Sequence, residues 1–204
     1  MPTQFPQHVL SKDDGTTYEL SNLATAAFPT AVGARTTAQS LSVTQPSDVS
    51  FGSSVTVTRT ADTNAYTAND VIGAATGSTA ALTFTLGAAA GSYMITSAHL
   101  MIEDTGVISG ETSYNLHLYD VTPPSALGDN AAWDLPSGDR NSYLGSIALG
   151  TPVDVGSTLY VEANGIQKHV VLASASLFGY LVTVGAYTPT SARVYRVKLH
   201  TIKV

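Results

Sequence analysis

From Phe51 onward, large apolar residues recur at every second position in short runs, and this period of two commits the chain to β-strands. Val55 and Val57 alternate with Thr56 and Thr58, and Leu82, Phe84 and Leu86 alternate with Thr83 and Thr85. Each such run can bury one side and wet the other. A longer run puts Met94, Ala98, Leu100 and Ile102 on one face, with the fairly apolar Ile95, His99 and Met101 opposite, as expected of a central strand. Tyr114, Leu116 and Leu118 alternate with Asn115, His117 and Tyr119 until Pro123 and Pro124 remove ladder donors. Further strands are expected over 143–149, 159–161, 166–172, 177–186 and 193–202. Between two of them, the Asn164-Gly165 pair is the strongest hairpin signal, because a type I′ turn needs positive φ at both central residues. No ten-residue stretch carries a convincing helical period. About eight or nine strands at this spacing predict an all-β fold: an antiparallel β-sandwich, jelly-roll-like, over residues 52–204.

Residues 1–51 read differently. Pro2, Pro6, Pro29 and Pro46 punctuate polar, Ala/Thr-rich sequence with few closely spaced large apolar side chains. This segment is expected to be an extended N-terminal arm, unable to fold alone. Within it, residues 9–11 and 16–20 flank a Gly15-closed turn and predict a short hairpin, which is marginal in water unless it rests on another surface. Such a hairpin packs either on its own domain or on a partner.

Charged residues make up 12% of the chain, about half the roughly 25% usual for soluble domains, so Thr, Ser, Asn and Gly must cover the surface. That balance suits a secreted or assembled β protein better than a cytosolic enzyme. A net charge of −6 argues against a nucleic-acid partner, whose phosphates require clustered Lys and Arg. Four of the nine basic residues, Arg193, Arg196, Lys198 and Lys203, do fall on the last strand, where a solvated strand face or a protein contact explains them. The most apolar stretch, 172–184, is broken by Ser174, Ser176 and Gly179, so no membrane partner is expected. The first residues have neither a basic region nor an apolar core, so synthesis without a signal peptide, in a cytoplasm, is expected. The absence of cysteine excludes disulfides, thiolate metal sites and a cysteine nucleophile.

Motifs for catalysis are thin. His8, His99, His117, His169 and His200 fall in separate segments without metal-ligand spacing, and each reads as a strand-face residue. No Gly-x-Ser-x-Gly elbow supports a serine nucleophile. Two carboxylates for glycoside hydrolysis would come from Glu103 with Asp104 or Glu111, although adjacent acids at a strand end usually form turns. Asp129, Asp134 and Asp139 in the long 125–141 loop offer hard oxygens to calcium, without EF-hand spacing, and turn roles explain them as well. Glycines 73, 77, 87 and 91 precede no phosphate-loop lysine and read as turn residues. Trp133, flanked by Tyr119 and Tyr143, either forms an aromatic platform for sugar, plugs the end of the sandwich or anchors a protein contact. No catalytic residue, cofactor or metal is expected.

Three stretches, TRTADTNAYTANDVIG at 58–73, LHLYDVTPP at 116–124, and DNAAW at 129–133 leading into YLG at 143–145, resemble a family of tailed-bacteriophage virion proteins of the head decoration, or cement, type. The resemblance organises residues 55–204 and leaves the first fifty uncovered. It implies a non-enzymatic β-sandwich subunit that binds the outside of a capsid shell and stiffens it, with the major capsid protein and copies of itself as partners. A trimer is one such arrangement, although nothing in the residues fixes three over two. The implied location is the virion surface, after synthesis in the host cytoplasm. A thinly charged surface buried against neighbours, and an arm adding to an exposed sheet edge, fit the same role on physical grounds. The expected contact residues are Phe5, Val9, Leu10, Tyr18, Leu20 and Phe28 on the arm, together with Trp133. The alternative is a phage tail or fibre component whose sandwich binds glycan or receptor.

Overall fold

The computed structural model describes residues 10–11, 17–18, 50–74, 79–87 and 89–204. The chain divides into two units, Met1–Gln45 and Pro46–Val204. In the first, β1 (Leu10–Ser11) pairs antiparallel with β2 (Thr17–Tyr18), Leu10 opposite Tyr18 and Ser11 opposite Thr17; the turn expected between them lies outside the described residues. Of the rest of the expected arm, 1–51, only Ser50 and Phe51 are described, and they open the first strand of the sandwich.

The second unit is an antiparallel sandwich built from β3 (Ser50–Thr58), β4 (Val71–Ile72), β5 (Leu82–Thr85), β6 (Gly91–Ile102), β7 (Tyr114–Tyr119), β8 (Tyr143–Gly150), β9 (Val153–Asp154), β10 (Leu159–Leu172), β11 (Ser176–Thr183) and β12 (Val194–Lys203). One sheet has the order β3-β12-β6-β10-β9. The other has the order β4-β11-β7-β8, with β5 also paired to β11. Successive long strands cross between the sheets so that β3, β12, β6 and β10 face β5, β11, β7 and β8, the strand order of a jelly roll. No helix occurs among the described residues.

Alternation does the sorting. In β5 the burial pattern follows the sequence, with Leu82 and Phe84 inside and Thr83 and Thr85 exposed. In β12, Tyr195, Val197 and Leu199 are buried and join Ile95, Leu100 and Ile102 of β6 and Leu116, Leu118 and Leu181 of the facing sheet in one core. Each fully buried aliphatic side chain contributes roughly 1.5–3 kcal/mol relative to exposure, so this shared layer holds the two sheets together.

Two expectations fail at bulges. Met94 does not join Ala98, Leu100 and Ile102; Ile95 is buried with them instead, and Met94 is only half-buried. Pairing with β12 passes from Ser97↔His200 to Ile95↔Thr201, leaving Thr96 as an extra residue that inverts the faces before it. Thr96 Oγ1 donates to the His200 carbonyl, 3.1 Å away, at the same point.

The second failure is the Asn164-Gly165 hairpin. β10 runs through it as one strand of fourteen residues, both halves paired to the same neighbour, β6. Gly165 does take a positive φ of 67°, and Gln167 one of 50°, but here these residues bulge rather than turn the chain. Of the expected pair only Gly165 is left-handed; Asn164 is not, so the two positive φ values that a type I′ turn needs are absent here.

Candidate functional site

The outward face of the second sheet is covered, and its covering segment carries the chain's single tryptophan. β7 points Leu116 and Leu118 into the core and His117 and Tyr119 the other way, while β11 likewise turns Tyr180 and Val182 outward. Val71, Ala80, Tyr119, Tyr180 and Val182 form a second buried cluster, against which Leu127, Trp133, Leu135, Tyr143 and Phe178 pack. The long loop between β7 and β8 therefore folds back as a roof over this face. Backbone bonds fasten it, from Val71 N to Ala131 O at 2.8 Å, Trp133 N to Asn69 O at 2.8 Å and Ala80 N to Leu127 O at 2.7 Å.

Under the roof, the His117 imidazole stacks on Trp133 with ring centroids 3.6 Å apart and an interplanar angle of 27°. His117 Nδ1 and the Tyr143 hydroxyl are 2.9 Å apart, and Trp133 Nε1 donates to the Tyr119 hydroxyl at 3.3 Å. Burial lowers the His117 pKa to about 4 and pushes Tyr119 up to about 12. His117 is thus neutral near pH 7, an aromatic and hydrogen-bonding partner rather than a cation. Trp133 lies over the sheet and not at an end of the sandwich, as the plug expectation had it. Its flanking tyrosines do converge on it, and Trp133 and Tyr143 stay half-buried, so an aromatic surface reaches solvent.

The acidic candidates are occupied by cations and donors of their own chain. Asp129 is buried and accepts from Arg59 Nη2 at 3.1 Å, the Tyr66 hydroxyl at 2.6 Å and Gly73 N at 2.9 Å. Asp139, also buried, accepts from Ser125 N and Oγ, each at 3.1 Å, and Asp134 is exposed. These carboxylates point to different donors and do not converge on a common point. Among the described residues no three His, Asp or Glu side chains converge as metal ligands.

Asp104 and Glu111, the two alternatives expected as partner to Glu103 in a catalytic pair, meet each other instead, around a guanidinium. Arg193 Nη1 and Nη2 donate to the two Glu111 oxygens, both at 3.0 Å, and its Nε lies 2.9 Å from Asp104 Oδ2 without hydrogen-bond alignment. Tyr114 also donates to Glu111, and hydroxyl contacts continue from Tyr114 to Tyr187 at 3.0 Å and from Tyr187 to Tyr195 at 2.9 Å. Burial raises Tyr66, Tyr114 and Tyr187 well above the ordinary tyrosine range, so these hydroxyls remain protonated. Arg59 lies 4.7 Å from the centroid of the Tyr66 ring, which faces the guanidinium while its Nε and Nη1 find no hydrogen-bond acceptor. Glu103 is exposed and takes no part.

This interior network was missed in the sequence. Its one signal is compositional: ten tyrosines against five phenylalanines, a surplus of rings whose hydroxyls need partners when buried. Arg193 also leaves the supposed basic stripe of the last strand, since it is 2% exposed and ion-paired inside.

On the opposite outward face, strand pairing brings His99 and His200 together, ring centroids 5.0 Å apart, although they stand far apart in sequence. Glu162 Oε1 lies 3.1 Å from His99 Nε2, and the Tyr160 hydroxyl donates to Glu162 Oε2 at 3.0 Å. His169 is exposed on β10. Of the expected arm contacts, Leu10 and Tyr18 are backbone register partners in the β1–β2 pair. Phe5, Val9, Leu20 and Phe28, like His8, lie outside the described residues. No protein-family model matches the chain, and no curated protein matches its sequence.

Proposed function

We propose that this protein is a non-catalytic structural subunit of a tailed-phage virion, a cement protein that binds the outside of the capsid and stabilises it. The observation that carries this reading is where the polar chemistry goes. Glu111 and Asp104, two of the three acids weighed for catalysis, and Asp129 and Asp139, weighed as calcium ligands, are all engaged by groups of the same chain. Such internal bonding fixes a shape and withholds these four carboxylates from acid–base work on a substrate. The jelly-roll order and the thin surface charge suit a subunit whose neighbours complete its burial, and many symmetric copies multiply modest contacts.

The test is occupancy. Virions assembled with the protein lacking residues 1–50 are expected to lose bound copies and to disrupt at lower temperature. Unchanged occupancy removes the arm from the proposal, and particles that never carry the protein remove the proposal itself.

A second reading, a tail or fibre component that binds host glycan, is favoured by the half-exposed Trp133 and Tyr143 rings. Glycan binding abolished by Trp133→Ala, with the melting curve still cooperative, would select it.

A further inference from the structure

Asn164 is the only asparagine in the chain followed by glycine, and the structure places this pair where the ladder between β10 and β6 is interrupted. Pairing runs to Asn164↔Ser97 and resumes at Lys168↔Ile95, so residues 165–167 lie opposite Thr96 alone. Asn164 and Gly165 are both exposed. Gly165 has φ +67°, and no heavy atom lies within 4 Å of the place a Cβ would occupy.

We propose that Asn164 is a site of spontaneous covalent modification, a deamidation centre built into the bulge of β10. The Gly165 backbone nitrogen attacks Asn164 Cγ, forming an N–Cγ bond and closing a five-membered imide. The Cγ–Nδ2 bond breaks, and ammonia departs with the proton that the Gly165 nitrogen gives up. Water then opens the imide at either carbonyl and returns a proton to the nitrogen, leaving aspartate or its β-linked isomer. No oxidant or metal is needed.

Three features select this asparagine. Glycine puts no side chain in front of the attacking nitrogen. The broken ladder leaves the segment room to bring that nitrogen onto Cγ. Of the other asparagines of the sandwich, Asn69, Asn130 and Asn141 precede amides that are already engaged, Asp70 N with Thr67 O, Ala131 N with Gly128 O and Ser142 N with Asp139 O, while Asn64 precedes Ala65, whose methyl group crowds the approach that glycine leaves open. Asn115 lies within β7, paired on both sides.

The product changes the local charge. The Asn164 amide is, after the Tyr160 hydroxyl, among the donors that hold the Glu162 carboxyl below its usual range, and that carboxylate also meets His99. Conversion replaces that donor with a second carboxylate, beside a face that carries Lys198 and His200. The β-linked product also inserts a methylene into the strand.

The test is to age the full-length protein in oxygen-18-labelled water and map its peptides, with a free peptide of residues 159–172 as the unstructured reference. The expected result is a more acidic charge variant with label at residue 164, formed at a rate comparable to the peptide's. Asn69, Asn115, Asn130 and Asn141 are expected to stay unlabelled, and Asn164→Gln to abolish the variant. Conversion in the peptide but not in the folded protein would overturn the proposal, as would an acidic variant that persists in Asn164→Gln.

Discussion

The two sheets of the sandwich share one core but differ on their outward faces. The second sheet is roofed by the 120–142 loop, and its outward Tyr119, Tyr180 and Val182 are fully buried. The first sheet turns Tyr160, Glu162, His99, Lys198 and Arg196 outward, and these are exposed or half-buried. Histidine makes the contrast plain. His117 under the roof is held neutral by burial, stacked on Trp133 and bonded to Tyr143. His99 and His200 sit beside a carboxylate and a lysine in partial contact with water. The same residue type is thus a packing element on one face and a partly hydrated polar group on the other, and what decides is whether a loop lies above it.

The largest expected effect comes from unfastening the roof. Asp129 ties the covering loop to Arg59, Tyr66 and Gly73, so Asp129→Ala leaves a buried guanidinium with only the partly exposed Asp62 as charge partner and should cost toward the lower end of about 3–5 kcal/mol. Thermal melts are expected to show a drop of roughly 10 °C for a domain of this size, with loss of the near-UV signal of Trp133. A melting point close to wild type would mean that the roof is held elsewhere.

Acid should act on the roofed face next. The folded pKa of His117 is lowered from 6.5 to about 4, so its stabilising contribution is present above pH 6.5, declines as pH falls, and is fully lost below about pH 4. That depression corresponds to at most about 3 kcal/mol. Denaturant titrations across this window should show stability falling, and His117→Phe should flatten the dependence while keeping an aromatic ring against Trp133. An unchanged slope in that variant would assign the acid sensitivity to other groups.

Much of this contrast can be read in the sequence. β11 is apolar on successive positions, with Phe178, Tyr180, Leu181 and Val182, and a strand without alternation is one covered on both faces. β12 alternates Val197 and Leu199 with Arg196, Lys198 and His200, which marks a bare outward face. The period of two therefore located the strands, and the order of their runs allowed a jelly roll to be expected. What it did not reveal depends on non-local pairing or on a local insertion. Thr96 inverts the faces of β6 by a single extra residue, and nothing near it in the chain announces that shift. Arg193 looked like one of a row of surface cations because its partners, Glu111 and Asp104, lie on a loop far back in sequence. The Trp133 neighbourhood was half legible: its tyrosines flank the loop, while His117 comes from the middle of a strand that alternation alone would leave wet.

Removing the roof's main side chain should cost less than removing its pin. Trp133→Ala deletes a half-buried ring, so roughly 2 kcal/mol is expected, below the 3–5 typical of a fully buried aromatic. The accompanying change is spectroscopic and specific. Without the indole above it, the His117 imidazole gains water, and its pKa should rise toward 6.5, measurable by NMR titration of its ring protons. A pKa that stays near 4 would show that Tyr143 and the sheet, rather than the indole, exclude water from it.

The smallest effect belongs to the bare face. His200 stacks against His99 at a centroid distance of 5.0 Å, but water reaches both rings, and substitutions at such positions usually change stability by less than about 0.5 kcal/mol. His200→Ala is therefore expected to leave the denaturation midpoint almost where it was. Burial, Lys198 and His99 together lower the His200 pKa, so neutral His200 is favoured in the fold and acid removes that preference. The variant should accordingly lose a small part of the acid-dependent destabilisation while the larger part, from His117, remains. If His200→Ala instead cost as much as Trp133→Ala, the first sheet's outward face would have to be packed against something in solution, and the difference between the two faces would vanish.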